Sequence, residues 1–334
     1  MSAPIVHGGG ITEAAAIFGG RLDDWLDLST GINPNPVTLP DIPVAAWHRL
    51  PDRHLVDGAR NAAARYYRSG ESLPLAVPGT QSVIQLLPRL VAQGRRIAIF
   101  APTYGEYARV FASAGFSVDE ISVPDQLTPD HGLAIVVNPN NPTGRAYPPA
   151  DLVGIAQHMK ANGGLLLVDE AFGDTQPDLS VVPSGVDHDN LIVFRSFGKF
   201  FGLAGLRLGF VIAAEPVLSA FQDWLGPWAV SGPALVTATV LMGGDTQAVQ
   251  SGISERKAGL DAVLRQAALK VIGGTPLFAL VEHERASGLH DHLCRARILT
   301  RKFGYAPSWL RIGLAPDAAG DTRLADALRD ADLA

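Results

Sequence analysis

Short apolar runs alternate with amphipathic stretches from about residue 57 to residue 215. The apolar runs have strand length and predict β-strands at 75–77, 97–100, 117–123, 133–137, 165–168, 191–194 and 208–212. Helical spacing of apolar positions predicts helices at 57–68, 81–92, 104–114 and 151–161. Pro88 should kink the second of these helices. Apolar strands that alternate with helices indicate an α/β fold, with a mostly parallel sheet covered on both faces.

The two ends of the chain have a different texture. The first forty residues are rich in Gly, Pro, Asn and Thr, which predicts an irregular arm with a short helix at 11–18. After about residue 226, the pattern predicts a helix at 251–269, a Gly-Gly break, a strand at 277–281, a helix at 289–296, a strand at 310–312 and a closing helix after 321. We expect an N-terminal arm (1–40), a large domain (41–225) and a smaller α+β domain (226–334).

Composition and charge exclude several classes of protein. Of the 334 residues, 47% are hydrophobic and 18% are charged, so a mainly disordered chain is excluded. The net charge is −6 without a long basic run, and a nucleic-acid partner is therefore not expected. No apolar stretch reaches the roughly 20 residues of a membrane-spanning helix, and no secretory signal is visible. The single cysteine, Cys294, excludes an intrachain disulfide and a cysteine-rich metal site, and favours a cytoplasmic setting.

Two turns that follow predicted strands carry candidate ligand groups, at the sheet edge where open α/β sheets bind ligands. Gly79, Thr80 and Gln81 lead from a strand into a helix, whose free backbone N–H groups favour an anion. Any strand-to-helix turn has this form, so the signal is weak alone. The segment 138–144, with the sequence NPNNPTG, contains more Asn and Pro than a tight turn requires. In it, Asn141 presents an amide that could donate to a ligand oxygen.

Three charged residues stand where burial requires a partner. Asp169 ends an apolar strand, so its carboxylate either caps a turn or faces a positive group. Lys199 follows a strand in a glycine-rich apolar setting, although a lone lysine is usually a surface residue. Burial lowers the pKa of a lysine, and Schiff-base chemistry needs the neutral amine. Arg311 lies in the apolar run 309–312 and needs an anionic partner from the protein or a ligand.

Together, these features resemble the pyridoxal-phosphate enzymes of the aspartate aminotransferase fold (fold type I), over about residues 29–313. The resemblance implies pyridoxal 5'-phosphate as cofactor and Lys199, Asp169 and Tyr104 as catalytic residues. Lys199 would bind the cofactor covalently, Asp169 would pair with the pyridine nitrogen, and Tyr104 would stack on the ring. Asn141 would bond to the phenolic oxygen, and Arg311 would bind the substrate carboxylate. The cofactor phosphate would be held by Gly79, Thr80, Gln81, Ser196 and Arg207.

Two subfamilies compete, and the N-terminal motifs favour one of them. His7-Gly8-Gly9 and the segment 27–34 (DLSTGINP) are similar to the opening signatures of threonine-phosphate decarboxylases of cobalamin biosynthesis, whereas histidinol-phosphate aminotransferases usually carry NENP. This resemblance implies decarboxylation of L-threonine O-3-phosphate to (R)-1-amino-2-propanol phosphate. The substrate would be bound by His7, Asn33, Asn141 and Arg311. A histidinol-phosphate-type aminotransferase is the alternative, and a non-enzymatic cofactor-binding protein is a remote one.

The short N-terminal arm, the acidic charge and the resemblance together predict a homodimer, and the lack of a membrane-spanning stretch predicts no membrane partner. Two positions depart from the family pattern. Leu50 stands where both subfamilies commonly have a Tyr that reaches the partner subunit's cofactor phosphate, so the resemblance does not extend to this contact. Phe172 stands where many relatives have a Tyr that bonds to the phenolic oxygen of the cofactor. From the sequence, Arg311 could bind either the carboxylate or the phosphate of the substrate.

Overall fold

A computed structural model of the chain describes residues 7–185 and 187–331. Its strands are β1 (Leu26–Asp27), β2 (Leu75–Val77), β3 (Arg96–Phe100), β4 (Val118–Ile121), β5 (His131–Val137), β6 (Leu165–Asp169), β7 (Leu191–Ser196), β8 (Gly209–Ile212), β9 (Lys270–Thr275), β10 (Phe278–Glu282), β11 (Ile298–Leu299), β12 (Arg301–Phe303) and β13 (Ala306–Gly313). Its helices are α1 (Ile11–Phe18), α2 (Val44–His48), α3 (Arg53–Tyr67), α4 (Thr80–Ile84), α5 (Glu106–Ser113), α6 (Pro149–Ala161), α7 (Val182–Gly185), α8 (Phe197–Phe200), α9 (Glu215–Leu225), α10 (Gly232–Leu241), α11 (Gln247–Gln266), α12 (Ala286–Arg295) and α13 (Ala318–Arg329).

The largest sheet in the described part of the chain has seven strands in the order β2-β8-β7-β6-β5-β3-β4. Neighbouring strands are parallel, except that β8 runs antiparallel to both β2 and β7. The central strands β5, β6 and β7 are almost completely buried, because their side chains are apolar on both faces. All seven predicted strands are present with small shifts at their ends. The predicted α/β fold with a mostly parallel sheet is confirmed.

A second, antiparallel sheet has the order β12-β13-β10-β9 and packs against α11 and α12. The N-terminal arm is attached to this C-terminal part, because β1 pairs in parallel with β11. The backbone N–H of Gly313 also donates to the carbonyl of Leu28 at 2.7 Å. The boundaries of the three expected parts stay a prediction.

Two local predictions are wrong. The break expected at Gly273-Gly274 is instead the interior of β9. These glycines allow close contact with the 138–144 segment, since a Cβ on Gly273 would lie 2.1 Å from the carbonyl oxygen of Thr143. The helix expected at 81–92 is interrupted: α4 ends at Ile84, and a 3-10 turn at Leu87–Leu90 surrounds Pro88.

Two further features are absent from the part of the chain that the structure describes. None of the helices found there combines the length and apolar character required to cross a bilayer. Within residues 7–185 and 187–331, no group of three His, Cys, Asp or Glu side chains is arranged to hold a metal ion.

Candidate active site

The predicted catalytic side chains lie at one edge of the large sheet. Asp169 is the last residue of β6, Ser196 is the last residue of β7, and Lys199 follows directly in α8. Asn141 follows β5, while Arg207 precedes the antiparallel strand β8 and so returns to the same edge. Parallel strands with their carboxyl ends at one edge place these residues together, although they are far apart in sequence.

Asp169 is a buried carboxylate, with 4% of its surface exposed. Its Oδ2 accepts a hydrogen bond from the Tyr107 hydroxyl at 2.8 Å, and its Oδ1 accepts one from the backbone N–H of Ala171 at 2.9 Å. Burial raises the pKa of Asp169, while the charge of Lys199 and the bond from Tyr107 act in the opposite direction. A cation held against this carboxylate would therefore stabilise its ionised form. Tyr107 was not predicted from the sequence, although it lies one helical turn after Tyr104.

Lys199 is half-buried beside the hydroxyl of Ser196 and the ring of Phe172. Its Nζ donates to Ser196 Oγ at 3.3 Å and lies 5.2 Å from the centre of the Phe172 ring. Burial lowers the pKa of Lys199, the negative charge of Asp169 opposes this effect, and the positive charge of Arg311 adds to it. A lowered pKa increases the fraction of neutral amine, which is the form that attacks a carbonyl carbon.

Two asparagines fix the 138–144 segment and leave Asn141 for the site. The side chain of Asn138 donates to the Tyr147 carbonyl at 3.2 Å and accepts from the Tyr147 N–H at 2.8 Å. The side chain of Asn140 accepts from Thr103 Oγ1 at 2.5 Å. These bonds explain the high Asn content, because each amide replaces a backbone partner that an irregular loop lacks. Asn141 is therefore held in place by its neighbours.

Arg311 is a buried cation with unused hydrogen-bonding capacity. Its Nη1 donates to Asn141 Oδ1 at 2.6 Å, and its Nη2 donates to the Ser29 carbonyl at 2.7 Å. Its Nε is buried and has no partner among the described residues. Burial, with the nearby charge of Arg301, lowers the pKa of Arg311 to about 10. A buried guanidinium in this state favours an anionic ligand.

Arg301 adds a second cation that sequence reasoning did not find, because it lies in a three-residue strand. It stands opposite Arg311 in the register of β12 and β13. Both line a cavity of about 720 Å³ together with His7, Tyr104 and Asn141. None of the carboxylates within residues 7–185 and 187–331 forms an ion pair with Arg301. Two cations opposite each other repel, so an anion between them is favourable.

The turn after β2 forms a close contact with Arg207. Gly79 has a φ of +75°, and a Cβ at this position would lie 2.6 Å from Arg207 Nη2. Only glycine therefore lets the guanidinium approach the turn. Thr80 packs equally closely on Gly209 of β8, whose Cβ would lie 3.1 Å from the Thr80 backbone nitrogen. Gly79, Thr80 and Arg207, together with Ser196, fit the phosphate group of the expected pyridoxal phosphate. Asp169 and Lys199 fit its ring.

A chain of hydrogen bonds connects this turn with the N-terminal arm. The Tyr104 hydroxyl donates to Gln81 Oε1 at 3.1 Å, and Gln81 Nε2 donates to Glu106 Oε2 at 3.0 Å. His7 Nε2 lies 3.1 Å from Glu106 Oε1. Burial, with the negative charge of Glu106, raises the pKa of Tyr104 to about 12, so this phenol is neutral. The predicted contacts of Gln81 and His7 with ligands stay predictions.

Asn33 is hydrogen-bonded to the backbone next to Lys199. Its Nδ2 donates to the Phe200 carbonyl at 3.0 Å, and its Oδ1 accepts from the Asn35 N–H at 3.0 Å. The backbone N–H of Asn33 also donates to the Lys199 carbonyl at 2.9 Å. In this arrangement the amide holds the turn that carries Lys199, and its predicted substrate contact stays a prediction.

Known proteins are similar to this chain in sequence and in structure. Residues 24–328 match the family model "Aminotransferase class I and II". A threonine-phosphate decarboxylase from Sinorhizobium sp is 70% identical over 333 residues and covers 100% of both chains. Another, from Pseudomonas aeruginosa, is 43% identical over 96% of each chain. The crystal structure of histidinol-phosphate aminotransferase from Sinorhizobium meliloti with pyridoxal-5'-phosphate has a TM-score of 0.80 at 21% identity, covering 98% of this chain and 96% of that one. This structural likeness concerns the fold.

Proposed function

The chain belongs to the class I and II aminotransferase family, and from this premise we propose that it is a pyridoxal-phosphate-dependent decarboxylase. Its substrate is L-threonine O-3-phosphate, and its products are CO₂ and (R)-1-amino-2-propanol phosphate for cobalamin side-chain synthesis. The observation that carries this proposal is the 70% identity, over the full length, to a threonine-phosphate decarboxylase. The paired cations Arg301 and Arg311 are consistent with it, because the substrate carries two anionic groups.

The side chains at the sheet edge have separate roles toward the cofactor. Bound pyridoxal phosphate supplies a sink for the electron pair that a broken Cα bond leaves behind. Lys199 would hold the cofactor covalently and carry protons, while Asp169 would keep a negative charge for the ring nitrogen. Asn141 would donate to the phenolic oxygen, and Tyr104 would contact the ring. Gly79, Thr80, Gln81, Ser196 and Arg207 would hold the phosphate.

The two anions of the substrate are assigned to different cations. Arg311 binds the carboxylate, because its bond to Asn141 places it beside the ring position. Arg301 and His7, which line the same cavity, bind the phosphate. Anchors at both ends orient the substrate, and the binding energy of the remote phosphate then holds the bond to the carboxylate in the reactive position.

The substrate is tested directly with purified holoenzyme and no keto acid. We expect threonine phosphate to yield CO₂ and aminopropanol phosphate in equal amounts. Threonine without phosphate should lose turnover as well as affinity, by at least roughly 100-fold in kcat/KM, because the remote anchor is missing. Turnover of histidinol phosphate that requires a keto acid, with no CO₂ from threonine phosphate, would instead establish the aminotransferase.

We also propose a cytoplasmic homodimer with the active site at the subunit interface. Large apolar side chains are exposed on and after α2: Val44, Trp47 and Leu50 each have at least 65% of their surface exposed. Trp228 is also exposed and lines a surface groove together with Pro51. Apolar side chains grouped on one face are typical of a protein contact. Leu50 lies in this face, where relatives have the Tyr that crosses between subunits.

Trp47→Glu tests the dimer. We expect the wild type to sediment as a dimer at micromolar concentration and the variant to dissociate at least roughly tenfold more readily, because a buried charge at an interface is costly. Val123→Glu is the matched control, since Val123 is an exposed apolar residue just after β4. This strand is at one edge of the large sheet, and β2 is at the other. A fully active wild-type monomer would contradict the proposal.

A further inference from the structure

Glu106 is a buried carboxylate between the cofactor turn and the N-terminal arm. It is the first residue of α5, and 2% of its surface is exposed. Its Oε1 lies 3.1 Å from His7 Nε2, and its Oε2 accepts from Gln81 Nε2 at 3.0 Å. Arg109 donates to the same carboxylate through Nε, at 3.2 and 3.1 Å, and through Nη2. Three side chains from separate parts of the chain therefore meet at one carboxylate.

The negative charge of Glu106 does not by itself require bonds to all three of these side chains. Burial would raise the pKa of Glu106, but the hydrogen bonds and charge of Arg109 and the charge of His7 bring it below its ordinary value. Glu106 is therefore an anion at neutral pH, and the guanidinium of Arg109 already balances it in a forked ion pair. The additional bonds to His7 and Gln81 fix the positions of those two side chains.

The start of the arm has few other attachments. The backbone N–H of Gly9 donates to Ser29 Oγ at 2.7 Å, and a Cβ on Gly8 would lie 2.5 Å from the Ser29 carbonyl oxygen. That same carbonyl accepts from Arg311 Nη2. His7 is half exposed, and Glu106 is the hydrogen-bond partner that holds its ring. His7, Gly8 and Gly10 of the arm therefore line the same cavity as Arg311.

We propose that Glu106 is a positioning residue, which holds His7 at the mouth of the substrate cavity and Gln81 beside Tyr104. Its carboxylate acts through these two side chains and does not contact the substrate. The arm then presents His7 to a bound substrate in one defined position. The effect on catalysis rests on the proposed function, whereas the effect on the arm does not depend on it.

Kinetics of Glu106→Gln, His7→Ala and the double variant test the coupling. Each single variant should raise KM for threonine phosphate about tenfold and change kcat less than about threefold, because the contact from His7 is lost or misplaced while Arg301 still holds the phosphate and the sheet edge is intact. If Glu106 acts through His7, the double variant should be no worse than the more affected single variant. Effects that multiply would show that the two residues act independently, and would overturn the proposal.

Hydrogen–deuterium exchange of the substrate-free holoenzyme gives a readout that does not depend on turnover. Amides of residues 7–10 should exchange at least about fivefold faster in Glu106→Gln than in wild type, since the arm loses its side-chain anchor. Asp23→Asn is the matched control: it removes a carboxylate charge from the same arm, at an exposed side chain that does not line the cavity and has no hydrogen-bond partner among the described residues. This control should change neither exchange nor KM.

The possible failures are distinguishable. Unchanged exchange of the arm in a folded Glu106→Gln variant would overturn the positioning role, whatever the substrate is. If Glu106→Gln does not fold, His7→Ala decides the question, because it breaks the same contact from the half-exposed side. In that case unchanged exchange in His7→Ala would overturn the role. Absence of CO₂ from the wild type would overturn the proposed function alone.

Discussion

Replacement of Lys199 by alanine is expected to lower the turnover of threonine phosphate by several orders of magnitude, at least about 1,000-fold. The change removes both the covalent anchor of the cofactor and the carrier of the proton. Buried surroundings lower the pKa of this amine, and its carrier helix α8 begins directly at the end of β7. Lys302 lines the cavity that Arg301 and Arg311 line, and its amine is bonded to Asp291 and Ser287.

Borohydride reduction provides the accompanying chemical test. Reduction of the holoenzyme should fix the cofactor on the peptide that contains Lys199, as mass spectrometry would show. Lys302→Ala is the control, and it should keep both the label and near-normal turnover. Label on another lysine would contradict the assignment; the candidates are Lys160, Lys257, Lys270 and Lys302.

The large sheet could be predicted because its strands are apolar on both faces. β5, β6 and β7 stand out from the helices between them for this reason, and their order in sequence places Asp169 and Lys199 at one edge. The two smaller sheets, β12-β13-β10-β9 and β1-β11, were only partly predicted. β11 and β12 are two and three residues long, which is too short for a periodic pattern, and β9 contains two glycines. Tertiary contacts stabilise these strands, and local sequence does not reveal them.

The site was predictable where chemistry restricts the residue type. Lys199 and Asp169 carry charge at the end of apolar strands, which is visible in the sequence. Glu106 and Tyr107 were missed because each depends on a partner that is distant in sequence, and Arg301 was missed because its strand has only three residues. Glu106 bonds to His7, 99 residues away, and Tyr107 bonds to Asp169, 62 residues away. Such pairs are determined by the packing of α5 against the sheet edge, so the sequence contains no local signal for them.

The two cations of the substrate cavity differ in their environment, and this difference supports their separate roles. Arg311 is buried, and two of its three nitrogen atoms are bonded to Asn141 and to the Ser29 carbonyl. Arg301 is less buried, and within the described residues it has no carboxylate partner. A fixed guanidinium suits the carboxylate, whose direction decides which bond breaks. A less buried cation without a carboxylate partner suits the phosphate, which is the remote anchor.

Arg311→Ala is expected to lower kcat/KM for threonine phosphate by about 2–5 kcal/mol of transition-state binding, or roughly 30- to 4,000-fold. The change removes a buried cation and leaves Asn141 Oδ1 without its donor. Arg311→Lys keeps the charge but cannot form the same two bonds, so it should recover only part of the loss. Steady-state rates of CO₂ release measure both variants. Near-normal rates for Arg311→Ala would place the substrate carboxylate elsewhere.

Competitive inhibitors then separate the two anions of the substrate. L-Threonine carries the carboxylate without the phosphate, while aminopropanol phosphate carries the phosphate without the carboxylate. If Arg311 binds the carboxylate, Arg311→Ala should weaken inhibition by threonine at least about tenfold and leave inhibition by aminopropanol phosphate nearly unchanged. Arg301→Ala should show the reverse, because Arg301 lies across the strand pair from Arg311 and faces the same cavity. The opposite pattern of inhibition would exchange the two assignments: Arg311 would bind the phosphate, and the orienting contact to the carboxylate would belong to Arg301.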